Sequence, residues 1–167
     1  YRYADGVIDE TLPGTAIKLE SDTALQNPND YVAVLKHAVP EALRQGSVRA
    51  EDVIGIGVDF TACTILPTLA DGTPLCNVPQ WKTNPHSWVK LWKHHAAQPE
   101  ANRINQLARE RNEPWLPIYG GIISSEWWHS KTLQILNDAP EIYNAADKIV
   151  EAGDWIVWQM TGVMKRN

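Results

Sequence analysis

Four small polar side chains follow one another where a buried strand should end. Residues 53–58 (VIGIGV) form a short apolar run rich in β-branched residues. That pattern predicts a strand buried on both faces, in a sheet covered by helices. Asp59 closes the run, and Thr61, Cys63 and Thr64 come next. In open α/β sheets, small molecules bind beyond the carboxyl ends of strands, so residues 59–64 are the first candidate site. A carboxylate and hydroxyls there suit a small polar ligand. The plainer alternative is that Asp59 and Thr61 only satisfy backbone groups at a strand end. No activating partner stands out for Cys63 in the sequence, so its thiol is read as inert.

Other chemistry finds less support. Gly55-Ile56-Gly57 lies inside the strand pattern, lacks a third glycine and has no Lys-Ser/Thr pair after it, so it matches neither phosphate-binding fingerprint. His94 and His95 are adjacent and have no further His or Cys at ligand spacing, which argues against a structural metal. Glu126, Glu151 and Asp154 are available acids, but no pair of them suggests a glycosidase arrangement, and Asp154 reads most simply as a helix N-cap. No serine sits in a Gly-x-Ser-x-Gly turn.

Eight tryptophans stand against one phenylalanine. A tryptophan presents a flat apolar face and one N–H donor, which suits the C–H side of a sugar ring. For any one of them core packing is the first expectation. The net charge of −5 comes with scattered Lys and Arg, a poor footprint for nucleic acid or an anionic membrane surface. No apolar run approaches the ~18 residues of a membrane span, and no signal peptide is visible. The two cysteines, Cys63 and Cys76, are too few for a disulfide framework in 167 residues and are read as reduced thiols of a cytoplasmic protein. Tyr1 in place of Met, and an end at residues 164–167 without a clear final element, give both ends the look of cuts.

The elements that must position these residues are read as follows. Residues 1–28 are irregular, with a turn at Pro13-Gly14. A helix starts at an Asn29-Asp30 cap, is kinked or interrupted by Pro40 and ends at Gln45-Gly46. After the 53–58 strand, residues 63–66 and 74–76 form a hairpin around Asp71-Gly72, and 77–87 is a loop. Residues 88–92 fit a helix or a strand equally well. Helices follow over 99–111, from Ser124 or Ser125 to 137, and over 140–145. Residues 148–151 are a strand, and a last helix starts at Gly153-Asp154 and ends at Thr161-Gly162, with the glycine at C′. Strands and helices alternate after residue 50, which predicts one α/β domain. Its size is enough to bury roughly 70% of the unfolded surface.

Four blocks carry a resemblance. Residues 53–67 (VIGIGVDFTACTILP) and 84–97 (NPHSWVKLWKHHAA) resemble the ribulokinase-like members of the FGGY family of carbohydrate kinases. Residues 123–128 (ISSEWW) are similar to a third block, and 154–162 (DWIVWQMTG) looks like the Asp-Tyr-Leu-x-x-x-Leu-Thr-Gly helix found across the family. The blocks stand in family order and span nearly the whole chain.

That resemblance implies an actin-like, ribonuclease-H-like fold of two domains around a cleft, with the chain as an incomplete N-terminal, sugar-binding domain. It implies that 87–92 is a strand and that the next helix begins after His95. Trp92 then falls on the Trp of a Trp-x-Asp-x-Arg motif at a strand end, from which His94 departs at the Asp and His95-Ala96 at the Arg. Two sugar contacts carry over, the backbone at Ala62 and the ring or N–H of Trp92, with Thr61 and Lys93 beside them. The implied ligands are ribulose, and ATP with Mg²⁺ held mainly by parts outside this chain. The phosphate loop and the catalytic Asp are also implied to lie outside it, so the fragment alone is expected to be inactive. A homodimer of the longer protein is a further expectation. Two functions remain open at this point. One is the sugar side of an ATP-dependent kinase acting on the 5-hydroxyl of L-ribulose; the other is a non-catalytic sugar-binding or regulatory module derived from such a kinase.

Overall fold

A computed structural model describes residues 1–165. Arg166 and Asn167, part of the end read as lacking a final element, lie outside the described residues. Four strands, β1 (Leu25–Gln26), β2 (Ile65–Thr68), β3 (Val89–Lys90) and β4 (Lys148–Glu151), form one sheet in the order β1-β3-β2-β4. Every pairing is antiparallel. Five helices accompany it: α1 (Pro28–Gly46), α2 (Gln98–Glu110), α3 (Trp128–Asp138), α4 (Pro140–Ala145) and α5 (Ala152–Thr161). The α/β expectation therefore holds.

The sheet is anchored on β2, which is buried along its whole length and pairs with β4 from Ile65↔Glu151 to Thr68↔Lys148. Leu66 joins Tyr31, Val89, Val150, Trp155, Ile156 and Trp158 in the main apolar cluster. Replacing Leu66, which is fully buried, with alanine is expected to cost about 2–5 kcal/mol. Urea unfolding of the variant against the parent measures it.

The 53–58 run departs from expectation. It forms no strand, it is exposed throughout, and Ile54 and Ile56 are 105% and 58% exposed. A strand is buried on both faces only when neighbouring strands take up its N–H and C=O groups and layers cover it. Among the described residues, β2 is flanked by β3 and β4, and no strand pairs with the run. Its apolar composition is real, but among the described residues nothing covers it.

Smaller departures have local causes. The cap of α1 is Asn27, whose Oδ1 accepts the Asn29 N–H at 3.0 Å, and Pro28 takes the first helical position, where a missing N–H costs nothing. The helix runs on through Pro40. The hairpin's turn forms, with Leu69 N–H donating to Thr73 O at 2.9 Å. Its return arm shrinks to a single bridge, Thr68↔Pro74, and then winds into a 3₁₀ turn over Leu75–Asn77. Gly72 at that turn has φ +87°, and a Cβ there would come 2.9 Å from Gln159 Nε2 and 3.3 Å from the Trp158 ring. α3 starts later than read, because the Ser124 hydroxyl accepts the Glu126 N–H at 3.2 Å and holds 124–127 as a turn. α5 begins at Ala152, which places Asp154 inside its first turn and not at the cap. Gly162 closes it at φ +70°, as expected.

The irregular first 28 residues are not loose. Ile8, Leu12 and Leu25 pack with Cys76 and Trp88 in a second apolar cluster, and Gly14 turns at φ +72°. Cys63 and Cys76 are both free thiols, and burial pushes Cys76 up to about 12.

Candidate functional site

The carboxyl end of β3 and the loop entering β2 meet at Thr64, a fully buried residue. Its hydroxyl accepts the Trp92 N–H at 3.2 Å and lies 2.9 Å from the Thr61 hydroxyl. Its carbonyl accepts the Ala152 N–H at 2.7 Å. One side chain thus ties the loop to the strand end. Cys63 turns the loop in the left-handed region, at φ 63°, which a residue with a Cβ adopts at a cost of roughly 1–2 kcal/mol.

Between these two pieces of chain lies an open cleft of about 310 Å³, lined by Thr61, Ala62, Cys63, Trp92, Glu126 and Trp127. Trp92 is 46% exposed, the one tryptophan of the eight in the exposed class. The others are buried or half-buried, as core packing requires. The cleft therefore joins an aromatic face, a hydroxyl, loop backbone and a carboxylate, the kinds of group that grip a polyol. An apolar cavity of about 360 Å³ beside Ile104, Trp115 and Tyr119 holds none of the candidate residues.

Thr61, Ala62 and Trp92 are thus brought together. Lys93 is half-buried and does not line the cleft. Glu126 and Trp127 enter from the turn before α3, and Glu126 Oε1 lies 3.4 Å from His95 Nε2. Both belong to the 123–128 block, but the sequence alone gave neither a role. Lys131 was also missed. It is fully buried on the face of α3 that carries Trp128 and Ile135, and a lysine on an apolar stripe was the available signal.

Below the cleft, Lys90 and His94 are buried side by side. His94 Nδ1 accepts the Ala24 N–H at 3.2 Å, so Nε2 carries the proton of the neutral ring and donates to Gln134 Oε1 at 2.9 Å. Lys90 Nζ donates to the same Gln134 oxygen at 3.1 Å. Burial, aided by Lys90, pushes His94 down to about 2, and burial with the nearby Lys131 brings Lys90 to about 7. His94 is a structural histidine that ties β3 to the segment before β1.

Among the described residues, no three His, Cys, Asp or Glu side chains converge where a metal could be held.

No protein-family model matches the chain. It is 58% identical over 165 residues to the ribulokinase of Geobacillus thermodenitrificans, an alignment that covers 99% of the chain and 29% of the relative. The chain is thus similar to part of a ribulokinase. The ribulokinase of Mycolicibacterium smegmatis is 54% identical over 168 residues, and that of Staphylococcus aureus 43% over 159. The chain spans about 29% of the length of the ribulokinases it matches. Among solved structures, a xylulose kinase from Brucella ovis superposes with a TM-score of 0.68 at 14% identity, over 87% of the chain and 27% of that structure. The fold is thus that of part of a sugar kinase, in line with the fold class expected from sequence.

Proposed function

We propose that this chain is an incomplete sugar-binding domain of a ribulokinase, over residues 1–167, and that its cleft holds the acceptor sugar. The observation that carries the reading is the convergence of Thr61, Ala62 and Trp92 on one cleft in a chain 58% identical to a ribulokinase. The reaction is transfer of the γ-phosphoryl of ATP to the 5-hydroxyl of L-ribulose, in the cytoplasm. ATP, Mg²⁺ and the base that takes the hydroxyl proton belong to parts of the protein outside this chain, so the chain alone is inactive.

The chain's own contribution is placement, which is most of what phosphoryl transfer asks of a protein. The Ala62 backbone and the Thr61 hydroxyl face one side of the sugar, the Trp92 ring covers an apolar face of it, and the Glu126 carboxylate accepts from a sugar hydroxyl. Lys93, next to Trp92 in sequence, keeps the weaker claim of a neighbour outside the lining.

The test is ATP-dependent phosphorylation by the full-length gene product, with L-ribulose, D-ribulose, xylulose and glycerol side by side. Turnover highest with L-ribulose is expected. Turnover highest with another sugar would overturn the substrate assignment. A well-folded full-length protein that binds ribulose and turns over none of the four would be the non-catalytic module instead.

A further inference from the structure

Lys131 closes the first turn of α3, fully buried, and its ammonium points at main chain. Nζ donates to Cys63 O at 2.6 Å and Leu91 O at 2.5 Å, and lies 3.5 Å from Trp92 O. An ammonium has three N–H donors and no acceptor, and here three carbonyls surround it. They belong to the two pieces of chain that form the cleft: Cys63 follows Ala62 on the loop, and Leu91 and Trp92 end β3. The sheet does not join these pieces beyond Ile65↔Lys90. Past that pair, the loop and the strand end are cross-linked by the Thr64 hydroxyl and by Lys131. The lysine's bonds are charge-assisted and the stronger of the two. They also hold the carbonyl of Cys63, the residue whose left-handed backbone would otherwise relax.

We propose that Lys131 is a positioning residue of the cleft, which clamps the loop bearing Ala62 to the strand end bearing Trp92 and so sets the gap that receives the sugar. The proposal rests on the reading of this cleft as the sugar site. Lys131 touches no ligand in this role and acts through the backbone it holds. A buried lysine is an expensive way to fill a helix face that Met or Leu would fill, and the three carbonyls at the cleft account for its presence.

The ammonium form matters, because a neutral amine has two N–H donors for three carbonyls. Burial pushes Lys131 down to about 8, against the pull of Cys63, Glu151 and Glu126. The other titratable groups near it are Lys90 and His94 on the β3 side. In the unmutated protein, the grip on the sugar should therefore loosen as pH rises through about 8.

The experiment uses the full-length gene product. Lys131→Met is expected to raise KM for ribulose about tenfold or more and to leave KM for ATP within about twofold. Trp92→Ala is run in parallel. If Trp92→Ala leaves the ribulose KM unchanged, the sugar-site reading itself fails. If Trp92→Ala raises it while a folded Lys131→Met protein keeps the parent value, the site stands and the clamp is overturned. A merely structural lysine would lower the melting temperature and leave the KM values alone. Should Lys131→Met not fold, the ribulose KM of the unmutated protein is followed from pH 7 to 9.5. A rise that persists in Lys90→Met supports the clamp. A flat profile, or a rise that Lys90→Met abolishes, overturns it.

Discussion

Trp92→Ala in the full-length protein is expected to raise KM for ribulose roughly thirtyfold and to leave KM for ATP within about twofold. Truncating a well-placed aromatic anchor commonly costs about 2 kcal/mol, and 1.4 kcal/mol is tenfold in an equilibrium constant. The effect should fall on binding and not on the fold. The Trp92 side chain is 46% exposed, so its removal takes little from the core, and the bond from its N–H to Thr64 belongs to the backbone and survives. A melting temperature close to that of the parent is thus part of the expectation. Steady-state kinetics with each substrate varied in turn decides the matter. A raised KM for ATP with an unchanged KM for ribulose would mean that Trp92 faces the nucleotide side and that the cleft has been assigned to the wrong ligand. If the chemical step depends on how the ring seats the sugar, kcat falls as well.

What could be read from the residues divides along a physical line. Elements specified by their own sequence were legible. Pro140 starting α4, the β-branched Ile149 and Val150 of β4, and Gly162 at the end of α5 carry their signals within a few residues. Residues 53–58 were not legible in the same way. Their composition speaks of burial, but burial is a relation to partners, and among the described residues none pairs with them. The start of α1 turned on Pro28, a first-turn signal passed over in favour of Asn29 and Asp30.

The site shows the same division. Ala62 and Trp92 were placed through the family resemblance, and the structure brings them to one cleft with Thr61. Thr64 and Lys131 hold that cleft together from positions 67 residues apart in sequence, and no local pattern links them. The only clue was a polar side chain on a face that should be apolar. In sequence, His94 offers only a weak metal-ligand pattern and a departure from the motif Asp. Its role follows from contacts with Ala24 and Gln134, 70 and 40 residues distant, which spacing along the chain does not disclose.

Burial of this ring makes the domain sensitive to acid. His94 and His86 are held neutral: burial, with Lys90 adding repulsion, pushes them down to about 2 and about 3 from an ordinary value of 6.5. Protonating His94 would also break the bond its Nδ1 accepts from Ala24. Above pH 6.5 both rings are neutral whether the chain is folded or not, and they take nothing from its stability. As pH falls below 6.5 the unfolded chain takes up protons that the folded one refuses, so stability is lost through the whole window down toward the folded values. Each refused proton costs about 1.4 kcal/mol per pH unit. Between pH 7.5 and 5.0, before most carboxylates titrate, the two rings together remove about 4 kcal/mol. That is a large share of the 5–15 kcal/mol typical of a domain. Urea unfolding followed by tryptophan fluorescence at the two pH values measures it. His94→Gln, which keeps one acceptor and one donor, should lower stability at pH 7.5 but lose only about half as much between the two pH values. A variant with the parent's full pH dependence would show that His94 accepts its proton in the folded state, and the buried hydrogen bond to Ala24 would then not fix the ring as neutral.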